Sequence, residues 1–193
     1  MRVAGVAVIA AVVIGLTTAA WAMRPRVVVR SPRLGVLNLV GDEAASLVAA
    51  DLKALTPLFG KAVQSTKETP ACDVLFLYAR VFDSGVVDGS DGGIREIIRD
   101  SGATVVVVAT ENSGDAYIAG APNRPYGKAN LVMTLQRNGK SFQTFFCRLF
   151  KMMFSGETMP VAWVKLAPQI PGHERTDTPG TIFAAEAGQV SFK

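Results

Sequence analysis

Histidine is nearly missing from this chain: His173 is the sole one in 193 residues, and cysteine occurs twice, at Cys72 and Cys147. That scarcity excludes zinc sites built from His/Cys clusters and helical His-x-x-x-His metal pairs. It also leaves at most one disulfide. No GxSxG elbow is present, no P-loop, and no GxGxxG turn. Asp83, Asp88 and Asp91 lack the spacing of a calcium loop. Charged residues are only 19% of the chain and the net charge is +4, too mild for a nucleic-acid footprint. The composition implies no cofactor and no resident metal. Hydrophobic residues, at 49%, are enough for a globular core.

Charge is also absent from Val3 to Met23. Arg2, the apolar run Val3–Leu16 and Ala20-Trp21-Ala22 match the basic start, apolar core and small-x-small site of a secretory signal peptide. About 20 uncharged residues in a helix also cross a hydrocarbon core of roughly 30 Å, so a retained transmembrane anchor is the alternative. Arg24, Arg26, Arg30 and Arg33 follow the run against a single Arg before it. That imbalance opposes export and keeps a cytoplasm-facing domain open. The expected organisation is a signal peptide or anchor over 1–22, a basic juxtamembrane linker over 23–33 and an α/β domain over 34–193. The corresponding place is the cell envelope, either periplasmic and secreted or anchored in the inner membrane. The basic stretch reads as a solvated linker or as a lipid-headgroup contact.

Periodicity predicts the elements. Val27–Val29 and Leu34–Val40 read as strands. Asp42 is placed to cap a helix through Leu55, with Ala44, Val48, Leu52 and Leu55 on one face and Pro57 stopping it. Residues 60–71 read as a polar loop. Val74–Phe82 and Ala103–Thr110 are near-continuous apolar runs, as in strands covered on both faces. Between them lie the loop Asp83–Gly93 and a short helix, Ile94–Asp100, ended by Gly102 in a left-handed conformation. After the long loop 111–129 come a strand over Asn130–Gln136, a helix over Phe142–Ser155 capped by Ser141, and a helix over Met159–Ala167. A hairpin of Thr181–Ala185 with Gln189–Phe192 closes the chain. The fold class expected is α/β: a three-layer sandwich with a mostly parallel central sheet, preceded by an N-terminal apolar helix. Cys147 lies among phenylalanines and suits a buried small hydrophobe; a Cys72–Cys147 disulfide would need an oxidising compartment.

Ligands of open parallel sheets gather at the carboxyl ends of the strands. The candidate ligand-facing residues there are Asp42, Arg80, Asp83, Gly89, Ser90, Asp91, Ser113 and Asp115. Arg80 stands inside an apolar strand and must reach either a carboxylate partner, a carbonyl, solvent or a ligand. Gly89, Gly92 and Gly93 precede a helix N-terminus, where backbone N–H groups favour anions. Ser90, Ser113, Asp91, Asp115 and His173 are the participants open to a hydrolase. Pro122-Asn123-Arg124-Pro125-Tyr126-Gly127 has the composition of a contact hot spot.

The order of elements from Val74 to Pro168 resembles the caspase-like CHAT peptidase domain. The resemblance is carried by Leu77-Tyr78-Ala79-Arg80 with Ser84-Gly85, the Gly-rich loop and helix, Ser101-Gly102-Ala103-Thr104 leading into Val105–Val108, and the Phe-rich helix closing at Gly156. It implies that the catalytic cysteine falls near Arg80 and the His-x-x-x-His-Gly pattern near Asn38 to Asp42. None of those residues is present, so the resemblance implies a member without the peptidase dyad. The expectation is a non-catalytic, envelope-associated binding or assembly module with a protein partner, contacting the membrane through residues 3–22 if these are retained, and binding no nucleic acid. The alternatives are a hydrolase with its site in the loops after the strands, and an anion or nucleotide sensor at Gly85–Gly93.

Overall fold

A computed structural model describes residues 26–116, 129–166 and 178–193. Four apolar runs become the centre of one six-stranded sheet. Its strands are β2 (Leu34–Asn38), β3 (Ala62–Ser65), β4 (Val74–Tyr78), β5 (Val105–Val108), β6 (Asn130–Gln136) and β7 (Gly180–Ala185), in the order β3-β2-β4-β5-β6-β7. All neighbours are parallel except β6 and β7, which run antiparallel. A separate two-stranded parallel sheet joins β1 (Arg26–Val29) to β8 (Gln189–Phe192).

Side chains alternate across a strand, and β4 and β5 feed two cores. Val74, Phe76, Tyr78, Val105 and Val107 face one core. It is covered by α1 (Ala45–Phe59), α3 (Lys140–Phe154) and α4 (Met159–Leu166). Leu75, Leu77, Val106 and Val108 face the other, beneath α2 (Ile94–Ser101). Helices on both faces explain why these strands read as unbroken apolar runs. Phe76 anchors the first core, with the rings of Phe142, Phe146 and Phe150 at 6.4, 5.6 and 6.2 Å, all edge-on. Gly102 ends α2 with φ +64°, as its position predicts.

Several expectations need correction. Asp42 does not cap α1; it sits in a 3-10 turn (Gly41–Ala44), and the cap position, Ala44, has no side-chain bond. Pro57 lies inside α1 rather than stopping it. The helix runs one turn further because Phe59 packs on Phe150 and Phe192, with ring centroids 5.3 and 6.0 Å away, and Gly60 (φ +76°) then ends it. Ser141 lies within the first turn of α3, its hydroxyl donating to the Asn138 carbonyl at 2.7 Å. Residues 62–65, read as loop, form β3, an edge strand.

The C-terminal pair is not a hairpin. β7 pairs with β6, whereas β8 crosses to β1. Residues 26–29 are therefore part of the folded domain, not of a free linker. The two cysteines are free thiols in different cores, Cys72 in that of α2 and Cys147 against that of α3, so no disulfide joins them. Among the described residues no helix is long and apolar enough to cross a membrane. The apolar N-terminal segment, Pro122–Gly127 and His173 lie outside the described residues.

Candidate functional site

Counted from β2, the parallel strands lie in the order 2-1-3-4-5. The chain leaves β2 towards one edge and β4 towards the other. Loops leaving the carboxyl ends of two such strands diverge and open a crevice. A cavity of about 340 Å³ occupies this place, lined by Leu39, Val40, Glu43, Ala79, Arg80, Asp88, Gly89, Thr110 and Glu111.

Each wall is fixed by side-chain hydrogen bonds. After β2, the Asn38 amide accepts from the N–H groups of Val40 and Gly41 at 3.2 and 3.1 Å and donates to the Gly41 carbonyl at 2.9 Å. This clamp turns the chain and sets Glu43 at the cavity. After β4, Thr110 accepts from the Ala79 N–H at 3.1 Å and donates to the Ala79 carbonyl. Asn112 accepts from the Val81 N–H at 2.7 Å and donates to the carbonyls of Ala79 and Thr110 at 3.2 and 3.0 Å. These two side chains carry the β4–β5 pairing past the strand ends and hold Arg80 between fixed neighbours. The Asp88 N–H donates to the Arg80 carbonyl at 2.9 Å, bringing Asp88 and Gly89 over the gap. A Cβ on Gly89, already at φ +77°, would meet the Leu39 carbonyl at 3.2 Å, so glycine permits this close approach.

Beyond Arg80 lies a second, more open cavity of about 400 Å³, between the loops after β4 and β5. It is lined by Arg80, Val81, Phe82, Asp83, Glu111, Asn112, Ser113 and Leu135. Arg80 and Glu111 line both cavities. Phe82 and Leu135 expose 46% and 37% of their surface there. The ion pairs among the described residues are Arg33–Asp73, Arg99–Asp100, Arg137–Asp51 and Lys165–Glu157. Arg80 is in none of them, although Glu43, Asp88 and Glu111 line the same cavity. Among the described residues the crevice therefore offers a guanidinium without an ion pair, sharing its walls with carboxylates and apolar surface.

Of the residues singled out from sequence, Arg80, Asp83, Gly89 and Ser113 meet at these cavities. Asp42, Ser90, Asp91 and Asp115 line neither. Asp42, Asp91 and Asp115 are exposed, and Ser90 spends its hydroxyl accepting from the Gly92 N–H at 3.2 Å. Glu43, Asp88 and Glu111 complete the first cavity and were not among the candidates. Glu111 directly follows an apolar strand run, which is the signal that could have found it.

The helix N-terminus after Gly93 is closed from within: the Glu96 carboxylate accepts from the Gly93 N–H at 2.9 Å. An Asp-rich metal site is not assembled either, since no group of three or more His, Cys, Asp or Glu side chains converges among the described residues. Ser113 donates to Asp83 at 2.6 Å and accepts from the Ala116 N–H at 3.1 Å, the geometry of a helix cap. Burial and the nearby Asp73 push the Cys72 thiol up to about 12, which keeps it unreactive.

Behind the crevice lies a buried cluster that sequence reasoning missed. Asp51 of α1 is 1% exposed and Arg137, just past β6, is 6% exposed. Asp51 accepts from Arg137 at 2.6 Å, from Gln143 at 2.7 Å and from the Tyr78 hydroxyl at 2.5 Å. Arg137 also donates to the Ala109 carbonyl at 2.8 Å and lies 3.7 Å from the centre of the Phe142 ring. Burial, and then the Asp51 charge, raise the Tyr78 hydroxyl above its ordinary range, so it remains a donor. The Arg137 N–H donates to Glu111 at 2.7 Å, linking this cluster to the crevice wall. No family model matches the chain, and no curated protein matches it.

Proposed function

We propose that this chain is a non-catalytic, envelope-associated α/β binding module that receives a protein partner in the crevice over β2, β4 and β5. The observation carrying this reading is Arg80, which lines both cavities without an ion pair among the described residues. The uncharged run of residues 3–22 supports delivery to the envelope and an N-terminal apolar helix. A kinship with the CHAT peptidase domain that lacks its dyad agrees with the replacement of nucleophile and base by Arg80 and its neighbours. A polypeptide suits the site chemically. Its carbonyls and carboxylates fit Arg80, its cationic groups fit Glu43 and Asp88, and an apolar side chain fits between Phe82 and Leu135.

A photo-crosslinking amino acid at Phe82 in the native cell tests this. The expected result is a protein adduct at Phe82, lost when Arg80→Ala is added, and no adduct from Val161 on α4. Adducts of equal yield at both positions would refute the assignment of the crevice.

A hydrolase reading has one observation in its favour, the Ser113–Asp83 contact of 2.6 Å at the second cavity. The Ser113 hydroxyl is occupied as a cap on the Ala116 N–H, and a carboxylate alone is a weak base for serine. A fluorophosphonate probe that labels the folded protein, and fails to label Ser113→Ala, would reinstate it.

A further inference from the structure

β1 has two unlike faces. Val27 and Val29 pack onto the first core, while Arg26 and Val28, and Arg30 just past the strand, are exposed. The strand is locked in place. It pairs with β8 from Arg26↔Gln189 to Val29↔Phe192. The Ser31 N–H then donates to the Lys193 carbonyl at 2.7 Å, and the Lys193 N–H donates to the Val29 carbonyl at 2.9 Å. Arg26 meets a neutral carbonyl, that of Gly156 at 3.4 Å, and Arg33 is set aside because Asp73 pairs with it at 3.3 Å. Lys193, exposed at the end of β8, adds a further cation. On β1 this leaves arginines flanking a valine that is 49% accessible, whereas Ser191, opposite Val28 on β8, is buried.

The length of chain before this strip says what covers it. Between Ala22, the end of the expected anchor segment, and Arg26 stand only Met23, Arg24 and Pro25. An extended chain advances at most ~3.6 Å per residue, so this tether keeps the start of β1 within roughly 15 Å of the end of the run. The screening length at physiological ionic strength is about 8 Å. The tether therefore holds Arg26 within about two screening lengths of the end of the run, and the charge of the face favours its lying closer.

We infer that the outward face of β1, through Arg26, Val28 and Arg30 with Lys193 beside them, lies flat on an anionic phospholipid surface while residues 3–22 stay in the bilayer. This rests on the envelope reading above and adds that the apolar segment is retained. The occupant of the face is a lipid surface, chosen by its charge and by the shortness of the tether.

The test uses the full-length chain in vesicles of phosphatidylcholine, and in vesicles of equal parts phosphatidylcholine and phosphatidylglycerol. A fluorophore is placed on Val28→Cys or, as a control, on Val63→Cys of the exposed β3 edge, both in a Cys147→Ala background. Quenching by neutral acrylamide is measured. The expected result is protection of the Val28 label by about fivefold or more in the anionic vesicles only, with the Val63 label open in both. Arg26→Gln with Arg30→Gln should return the Val28 label to the accessibility seen in phosphatidylcholine, with an unchanged thermal melt showing that the domain is folded. Equal quenching at Val28 in both vesicles overturns the inference and leaves the anchor reading standing. A native mass lacking residues 1–22 overturns both.

Discussion

Replacing Asp51 by alanine should be among the most damaging single changes in this domain. The carboxylate takes three donors at once: Arg137 at 2.6 Å, Gln143 at 2.7 Å and Tyr78 at 2.5 Å. Removing it leaves an arginine that is 6% exposed with a carbonyl and a ring for company but no counter-charge. Breaking one partner out of a buried ion pair costs about 3–5 kcal/mol, mostly through the stranded charge. For a domain of this size each kcal/mol lowers Tm by about 2–4 °C, so a fall of roughly 6–20 °C is expected. Urea unfolding of Asp51→Ala, Arg137→Met and the double variant completes a cycle. Arg137→Met strands the carboxylate in turn, though Tyr78 and Gln143 still serve it, so its cost should be the smaller. The double variant should cost less than the two singles added together, because neither charge is left alone. A loss below about 1 kcal/mol for Asp51→Ala, or strictly additive singles, would refute the buried pair as the cause.

Gly35→Ala should destabilise by about 1–3 kcal/mol, because a Cβ there would stand 2.5 Å from the Cys72 sulfur and 2.8 Å from its Cβ. Adding Cys72→Ala should restore only part of that loss in denaturant melts, since the Cβ contact persists. Burial raises the Cys72 thiol from 9.0 to about 12, so between those values the folded state holds a proton that the unfolded state has released. The stability contributed by this group is complete below pH 9 and drains away as pH rises towards 12; unfolding curves over that window should show the fall, and Cys72→Ala should flatten it. Asn112→Ala removes the acceptor of the Val81 N–H and should speed hydrogen exchange at Val81 by about fivefold or more, corresponding to a loss of about 1–3 kcal/mol.

The elements legible in the sequence are those whose burial is one-sided or total along the chain. Val105–Val108 and Val74–Tyr78 are buried at every position and read as strands. Phe142, Phe145, Phe146 and Leu149 repeat at helical spacing and are all buried in α3. β3 escaped because an edge strand with exposed Val63 and Gln64 carries no apolar pattern. The hairpin expectation failed because a short turn near Gly188 is equally compatible with strands that go to different partners, and the pairing of β8 with β1 joins residues at opposite ends of the chain.

At the site, Arg80 could be singled out because an arginine within an apolar run violates the local pattern. Asp51 broke no such rule. It sits in Ala49-Ala50-Asp51-Leu52-Lys53, which looks like an ordinary solvated helix face, and its partner Arg137 is 86 residues away. Only the folded chain brings α1 against the end of β6.

That distant contact also reaches the crevice wall. Arg137 works at both ends. Its guanidinium is drawn inward by Asp51 and the Ala109 carbonyl, and this fixes the backbone at the point where β6 ends. Its N–H then faces the crevice and holds Glu111 at 2.7 Å. Glu111 lines both cavities with Arg80, and one of its carboxylate oxygens accepts this core-anchored N–H. The carboxylate is thus held by one oxygen from behind, while Glu111 and Arg80 together wall both cavities.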